Sequence, residues 1–230
     1  NMAEGAIGVI IVAGGSGRRM GSALPKQFLM LHNRPVLAHT IDRMHEALPA
    51  ARIVVVLPEE HIPLWRNLAA RFDIARHEVT AGGSERFHSV ANGLAALGDG
   101  VRLIAVHDGV RPLASKKLIL RALLEAEKSG AAIPVVAPAD SYRIIDGETS
   151  HPIDRSRLRI VQTPQVFDAA LLREAYRQPF SAAFTDDASV VEAAGHAVTL
   201  CEGERENIKI TTPSDLDMAE AILNARDDEA

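Results

Sequence analysis

Ile7-Gly8-Val9-Ile10-Ile11-Val12-Ala13-Gly14-Gly15-Ser16-Gly17 is an apolar, β-branched run that stops abruptly in glycine. Seven consecutive small or apolar residues without alternation predict a strand buried on both faces, as in a parallel sheet. A glycine-rich turn at the carboxyl end of such a strand lets backbone N–H groups approach anionic oxygens with no Cβ in the way. Arg18, Arg19 and Lys26 follow within a few residues, so cations accompany the turn. Glycines alone are also compatible with a purely structural turn; the cations favour a polyphosphate. Two known phosphate loops do not fit. The dinucleotide fingerprint needs a third glycine where Met20 stands, and no Gly-Lys-Ser/Thr run of the Walker type is present.

Outward from this stretch, strand and helix alternate. Pro35 opens a helix predicted over Val36 to Leu48, Ile53 to Leu57 is a second buried strand, and Pro63 to Phe72 is helical. Ser84 is placed to cap a helix from Glu85 to Leu97 that Gly98 closes. Leu103 to Val106 and Ala131 to Ala137 read as strands around a helix capped by Ser115 and closed by Gly130. The rhythm breaks at 138–157, where Tyr142 to Ile145, Asp146-Gly147 and the run to Ile153 predict a β-hairpin. Beyond it come a strand at Leu158 to Val161, helices opened by Asp168 and Thr185, strands at Val198 to Leu200 and Ile208 to Ile210, and a helix from Ser214 to Arg226. The expectation is a three-layer α/β fold, a mostly parallel central sheet covered on both faces, forming one domain over residues 1–230 with a projecting β-hairpin arm at 138–157.

Composition narrows the function classes. A net charge of -5 supplies no global basic field, so nucleic acid is not an expected partner and an anionic substrate must meet local cations. The single cysteine, Cys201, excludes an intrachain disulfide and a cysteine-built zinc site. The first apolar run is too short for a membrane span, and Asn1 to Gly5 carries no basic leader, so no membrane partner and a cytoplasmic location are expected.

Further motifs carry candidate chemistry, each with a plainer reading beside it. Gly82-Gly83-Ser84 through Ser89 is a strand-to-helix turn that can simply cap. Asp108 ends a buried strand, where it can hold a cation or a sugar hydroxyl, or cap the next turn. Arg155 follows the hairpin, where a surface salt bridge would also explain it. Thr185-Asp186-Asp187 suits a helix N-terminus. Lys209, between Ile208 and Ile210, either points outward or serves an anion.

Taken in order, Ala13-Gly14-Gly15-x-Gly17-x-Arg19-Met20 with Pro25-Lys26-Gln27, the Gly83 to Ser89 turn, His107-Asp108 with Arg111-Pro112, Gln162-Thr163-Pro164-Gln165, and Asn207-Ile208-Lys209 resemble the nucleoside-diphosphate-sugar pyrophosphorylase superfamily. Within its cytidylyltransferase branch, the resemblance is to the 2-C-methyl-D-erythritol 4-phosphate cytidylyltransferases, and it spans Val9 to about Leu223. The resemblance implies a Rossmann-like nucleotidyltransferase fold and transfer of CMP from CTP to 2-C-methyl-D-erythritol 4-phosphate, with Mg2+ as cofactor. It implies nucleotide contacts at Ala13, Gly14, Gly15, Gly17, Gly83, Ser84 and Ser89, and catalytic cations at Arg19, Lys26 and Lys209. Asp108, Ser141, Arg155 and Thr185 would meet the acceptor, Asp108 also the metal, and Arg111 would brace Asp108. It further implies a homodimer in which the hairpin arm reaches the partner's active site. Departures from the family's usual pattern fall at Val12 and Gly14, at Ser84 where an acidic residue is common, and at Ser141 where threonine is usual. The rival readings are a ribitol 5-phosphate cytidylyltransferase, a non-catalytic nucleotide-binding regulator and, disfavoured by Met20, a dinucleotide dehydrogenase.

Overall fold

The computed structural model describes residues 6–14 and 24–229. Gly15, Gly17, Arg18 and Arg19 lie outside the described residues. Strand β1 (Ile7–Val12) sits within an eight-stranded mixed sheet. Beside it on one side lie β4 (Arg52–Leu57) and then β5 (Glu78–Ala81), both parallel to their neighbours. On the other side is β6 (Leu103–Asp108), also parallel. Next comes β11 (Gln165–Asp168), antiparallel to β6 and to β7 (Ala131–Val136). β7 also carries the short β10 (Ile160–Val161), antiparallel, and β12 (Thr199–Glu202), parallel. A two-stranded turn, β2 (Met30–Leu31) with β3 (Arg34–Pro35), and a separate hairpin, β8 (Arg143–Asp146) with β9 (Thr149–Pro152), lie off this sheet.

Alternation along β1 feeds both covering layers. Val9 and Ile11 pack with α1 (Val36–Ala47), α2 (Ile62–Ala69) and α4 (Lys116–Ser129), while Ile10 packs with α3 (Arg86–Leu97), α5 (Ala169–Ala175) and α6 (Asp187–Ala193). A third cluster seats α7 (Pro213–Glu229), through Ala219 and Leu223, against Leu31, Val110 and Ile210. The expected three-layer fold with a hairpin arm is therefore present, and every residue of β8 and β9 is exposed. Among the described residues no helix is long and apolar enough to cross a membrane.

Several local expectations hold at the atom level. The Ser115 hydroxyl caps α4 by accepting from the Leu118 amide, Gly130 ends it in the left-handed conformation, and the Asp168 carboxylate caps α5. Others shift. Glu85, not Ser84, is the N-cap of α3, and Asp186, not Thr185, caps α6, through a reciprocal box with Ser189. Ile208 to Ile210 is not a strand: the segment crosses the loop after β6, where the Ile210 amide donates to the Val110 carbonyl at 2.9 Å. The interval between β10 and β11 spans Gln162, Thr163 and Pro164; proline has no amide to donate to a ladder. Within that break the Thr163 side chain meets the end of β6, and the Gln162 side chain meets Glu204 and Asn207.

Candidate active site

The site is built where β1 and β6 end together. Val12 and Asp108 are register partners, and the Gly109 amide donates to the Val12 carbonyl at 2.8 Å. The chain then turns back through Arg111, whose Nε donates to Asp108 Oδ2 at 2.9 Å and whose Nη1 donates to the Asn207 carbonyl at 2.8 Å. Arg86 reaches in from the first turn of α3. Its Nη1 donates to Asp187 Oδ2 at 3.0 Å, and its Nη2 lies 3.7 Å from Asp108 Oδ1. The Lys209 ammonium stands 3.9 Å from Asp108 Oδ2. Burial alone would raise the Asp108 pKa, but Arg86, Lys209 and Arg111 together outweigh it and hold the carboxyl at about 2. Asp108 is thus an ionised, pre-positioned carboxylate among three cations.

Behind Asp108 a buried chain of hydrogen bonds fixes the loop. The Asp108 amide donates to Thr163 Oγ1 at 3.0 Å, and Thr163 Oγ1 lies 2.8 Å from His107 Nδ1. His107 Nε2 faces the Arg111 carbonyl at 3.0 Å, which only accepts, so this nitrogen carries the proton and Nδ1 receives the threonine hydroxyl. Burial pushes the His107 pKa down to about 4, in keeping with a neutral ring.

Two glutamines join the remaining walls. Gln162 accepts from the Glu204 amide and from Asn207 Nδ2, and donates to the Glu204 carbonyl at 2.7 Å, which pins the segment leading to Lys209. Gln165 donates to Asp186 Oδ2 at 3.1 Å and accepts from the Ala188 amide at 3.0 Å, which pins the start of α6. The result is a cavity of about 310 Å3. It is lined by Asp108, Arg86, Arg111 and Lys209 together with Val161, Gln162, Thr163, Gln165, Thr185 and Asp186.

Among the sequence-derived candidates, Asp108, Lys209 and Thr185 meet in this cavity. Ala13 is buried at the end of β1, and its carbonyl accepts from Gln27 Nε2 at 3.1 Å, which ties the turn bearing Lys26 to the same strand end. Phe28, stacked on Trp65 with ring centroids 5.5 Å apart, anchors the other side of that turn. Gly14 is exposed, and a Cβ there would meet none of the described residues within 4 Å. Gly83 donates its amide to Ser89 Oγ at 3.2 Å, at the N-terminal turn of the helix that carries Arg86. Ser84, exposed, lies 3.4 Å from His88 Nδ1. Ser141 and Arg155 are exposed and do not line the cavity; Arg155 donates to the Ala139 carbonyl at 2.8 Å.

Sequence reasoning did not single out Arg86, Asp187, Thr163, Gln165 or Asn207. Each sits inside a run quoted for other reasons. An arginine after a glycine turn gives no sign of its acidic partner, Asp187, 101 residues later. Among the described residues no three His, Cys, Asp or Glu side chains converge as a metal cage. The site offers instead the single Asp108 carboxylate, which suits a cation that arrives already held by phosphate oxygens; its Oδ1 accepts no hydrogen bond from the described residues.

Comparison with known proteins identifies the family. The family model described as IspD, 2-C-methyl-D-erythritol 4-phosphate cytidylyltransferase, matches residues 7–225. A protein of that name from Bacteroides fragilis is 50% identical over 216 residues, covering 93% of this chain and 98% of its own. The Bacteroides thetaiotaomicron protein of the same name is 49% identical, covering 94% and 98%. Among solved structures, the 4-diphosphocytidyl-2C-methyl-D-erythritol synthase of Anaerococcus prevotii superposes with a TM-score of 0.80 at 30% identity, over 96% of this chain and 100% of that one. The 2-C-methyl-D-erythritol 4-phosphate cytidylyltransferase of Thermus thermophilus gives 0.76 at 35% identity, over 94% and 98%. With residues 7–225 matched by the family model and a relative 50% identical over 93% of its length, the chain belongs to the 2-C-methyl-D-erythritol 4-phosphate cytidylyltransferase family.

Proposed function

We infer that this chain transfers CMP from CTP to 2-C-methyl-D-erythritol 4-phosphate, giving 4-diphosphocytidyl-2-C-methyl-D-erythritol and pyrophosphate. The observation that carries the reading is the family match over residues 7–225 together with Asp108 held ionised beside Lys209 in an open cavity.

An oxygen of the acceptor phosphate attacks the α-phosphorus of CTP. A new P–O bond forms, the bond to the bridging oxygen breaks, and pyrophosphate leaves with that electron pair. The acceptor phosphate is already anionic at neutral pH, so no strong general base is required. Catalysis rests on positioning and on stabilising charge as it spreads over the α-phosphate oxygens. Arg19, Lys26 and Lys209 are assigned to that charge. Ala13, Gly14, Gly15 and Gly17 are assigned to the triphosphate, and Gly83, Ser84 and Ser89 to the cytidine. Asp108 and Thr185 receive the acceptor, with Ser141 and Arg155 reaching it from a partner subunit. Asp108 would help hold Mg2+ beside the triphosphate, and the ion would there neutralise the charge of the departing pyrophosphate. The assignment includes one nucleotidyltransferase domain with 138–157 as its dimer arm, working in the cytoplasm.

The test is pyrophosphate release with CTP against a panel of polyol phosphates. 2-C-methyl-D-erythritol 4-phosphate is expected to be used with the highest kcat/KM. Preference for ribitol 5-phosphate would transfer the assignment to that acceptor.

A further inference from the structure

We propose that Asp187 is a positioning residue which, by holding the Arg86 guanidinium, keeps Asp108 Oδ1 open to the acceptor. The inference rests on the reading that Asp108 receives the polyol phosphate. Asp187 has no exposed surface, and both its oxygens are engaged: Oδ1 accepts the Tyr176 hydroxyl and Oδ2 accepts Arg86 Nη1 at 3.0 Å. Wholly buried, it presents no surface to a ligand of its own. Arg86 is the lever. Its other terminal nitrogen, Nη2, stops 3.7 Å from Asp108 Oδ1, outside hydrogen-bonding distance.

Asp108 already pairs through Oδ2, with Arg111 at 2.9 Å. Were Arg86 released, a movement of about 1 Å would let it close on Oδ1 and complete the shell around the carboxylate. The acceptor would then have to displace a charge-assisted bond before it could bind. Asp187 is also the first residue of α6, one position after the cap Asp186 and two after Thr185, which lines the same cavity. Burial raises the Tyr176 pKa, so its hydroxyl stays a donor and Asp187 stays oriented.

Asp187→Asn preserves volume and removes the charge. The expected result is an acceptor KM raised about tenfold, with kcat at saturating acceptor and KM for CTP changed less than about threefold. In an Arg86→Gln background the same substitution should leave the acceptor KM unmoved, because no guanidinium remains to intrude. Asp187→Glu, which restores the charge, should recover part of the loss. A buried pair that served stability alone would lower Tm and shift both substrates alike, and that result, or an equal KM rise in the Arg86→Gln background, would overturn the proposal. Should Asp187→Asn not fold, Tyr176→Phe loosens the same carboxylate and should raise the acceptor KM about twofold; no change there would count against it equally. A crystal structure of Asp187→Asn reads the lever without turnover: Arg86 within hydrogen-bonding distance of Asp108 Oδ1 supports the proposal, and an unmoved Arg86 defeats it. An inactive wild type would instead sink the acceptor assignment, leaving this structural readout to decide.

Discussion

His107 is held neutral by its two neighbours. The Arg111 carbonyl takes the Nε2 proton and Thr163 supplies one to Nδ1, so a second ring proton has no acceptor to meet. Burial lowers its pKa from 6.5 to about 4 against the pull of nearby Asp108. Because the folded pKa lies below the unfolded one, the unfolded chain binds the extra proton first as pH falls. Stability is complete above about 6.5 and drains away between there and about 4, by a total of about 3 kcal/mol. Asp108 adds acid sensitivity only lower, as pH drops from 3.8 toward about 2. Thermal melts from about pH 7 to about pH 5 are therefore expected to show a falling Tm for the wild type. His107→Asn, which retains an acceptor for Thr163, should have a lower Tm at neutral pH and a flatter slope; parallel curves would show that another group carries the acid lability. At this scale the motif was readable and its wiring was not. His107-Asp108 stood out as a strand-end pair, but the cations that hold Asp108 ionised, Arg86 and Lys209, and the Thr163 hydroxyl that meets His107 come from distant segments, and only tertiary packing brings them close.

Elements divide by how local their causes are. The β-branched runs at Ile7 and Ile53 became strands close to where patterning put them, and the caps at Ser115 and Asp168 hold because a cap is settled within a few residues. Strand β11 was not anticipated, since its antiparallel place between β6 and β7 is set by those two neighbours. Ser84 lost its capping role because the turn before α3 is closed by Ser89 from inside the helix, through the Gly83 amide. The junction of β1 and β6 carries its own test. A Cβ on Gly109 would stand 2.9 Å from the Ala13 Cβ and 3.2 Å from the Val12 carbonyl oxygen, so Gly109→Ala must force the two strand ends apart. Overpacking of this kind costs about 1–3 kcal/mol. At Gly14 a Cβ meets none of the described residues within 4 Å, so Gly14→Ala should change stability by less than about 0.5 kcal/mol. If the Gly14 backbone faces the triphosphate, the same substitution raises the KM for CTP. Melting curves and CTP titrations of the two variants should separate: Gly109→Ala loses Tm, and Gly14→Ala loses CTP affinity alone. A Gly14 variant with unchanged KM would remove that residue from the nucleotide site.

The whole molecule raises a question of completeness. Ser141 and Arg155, assigned to the acceptor, flank a hairpin whose strands are exposed throughout, and neither lines the cavity containing Asp108, Thr185 and Lys209. The hairpin also presents Tyr142, Ile144 and Ile145, the last 78% exposed, with Ile160 and Val161 exposed on β10. Apolar side chains gathered on an arm mark a surface suited to burial against another chain. A two-fold dimer in which each arm crosses to the opposite body would cover these residues and deliver Arg155 to its partner's cavity. The arrangement has an arithmetical consequence. Let one subunit carry Lys26→Ala and the other Arg155→Ala. In the mixed dimer one cavity receives both defects, while the other combines an intact Lys26 from its own body with an intact Arg155 from the arm opposite. Random pairing of equal amounts makes about half the dimers mixed, so the population should regain about a quarter of wild-type turnover although each variant alone is nearly inactive. Co-expression with two different affinity tags isolates the mixed species, where about half of wild-type activity per dimer is expected. Mixed dimers no more active than either parent would mean that Arg155 acts within its own subunit or takes no part in the reaction.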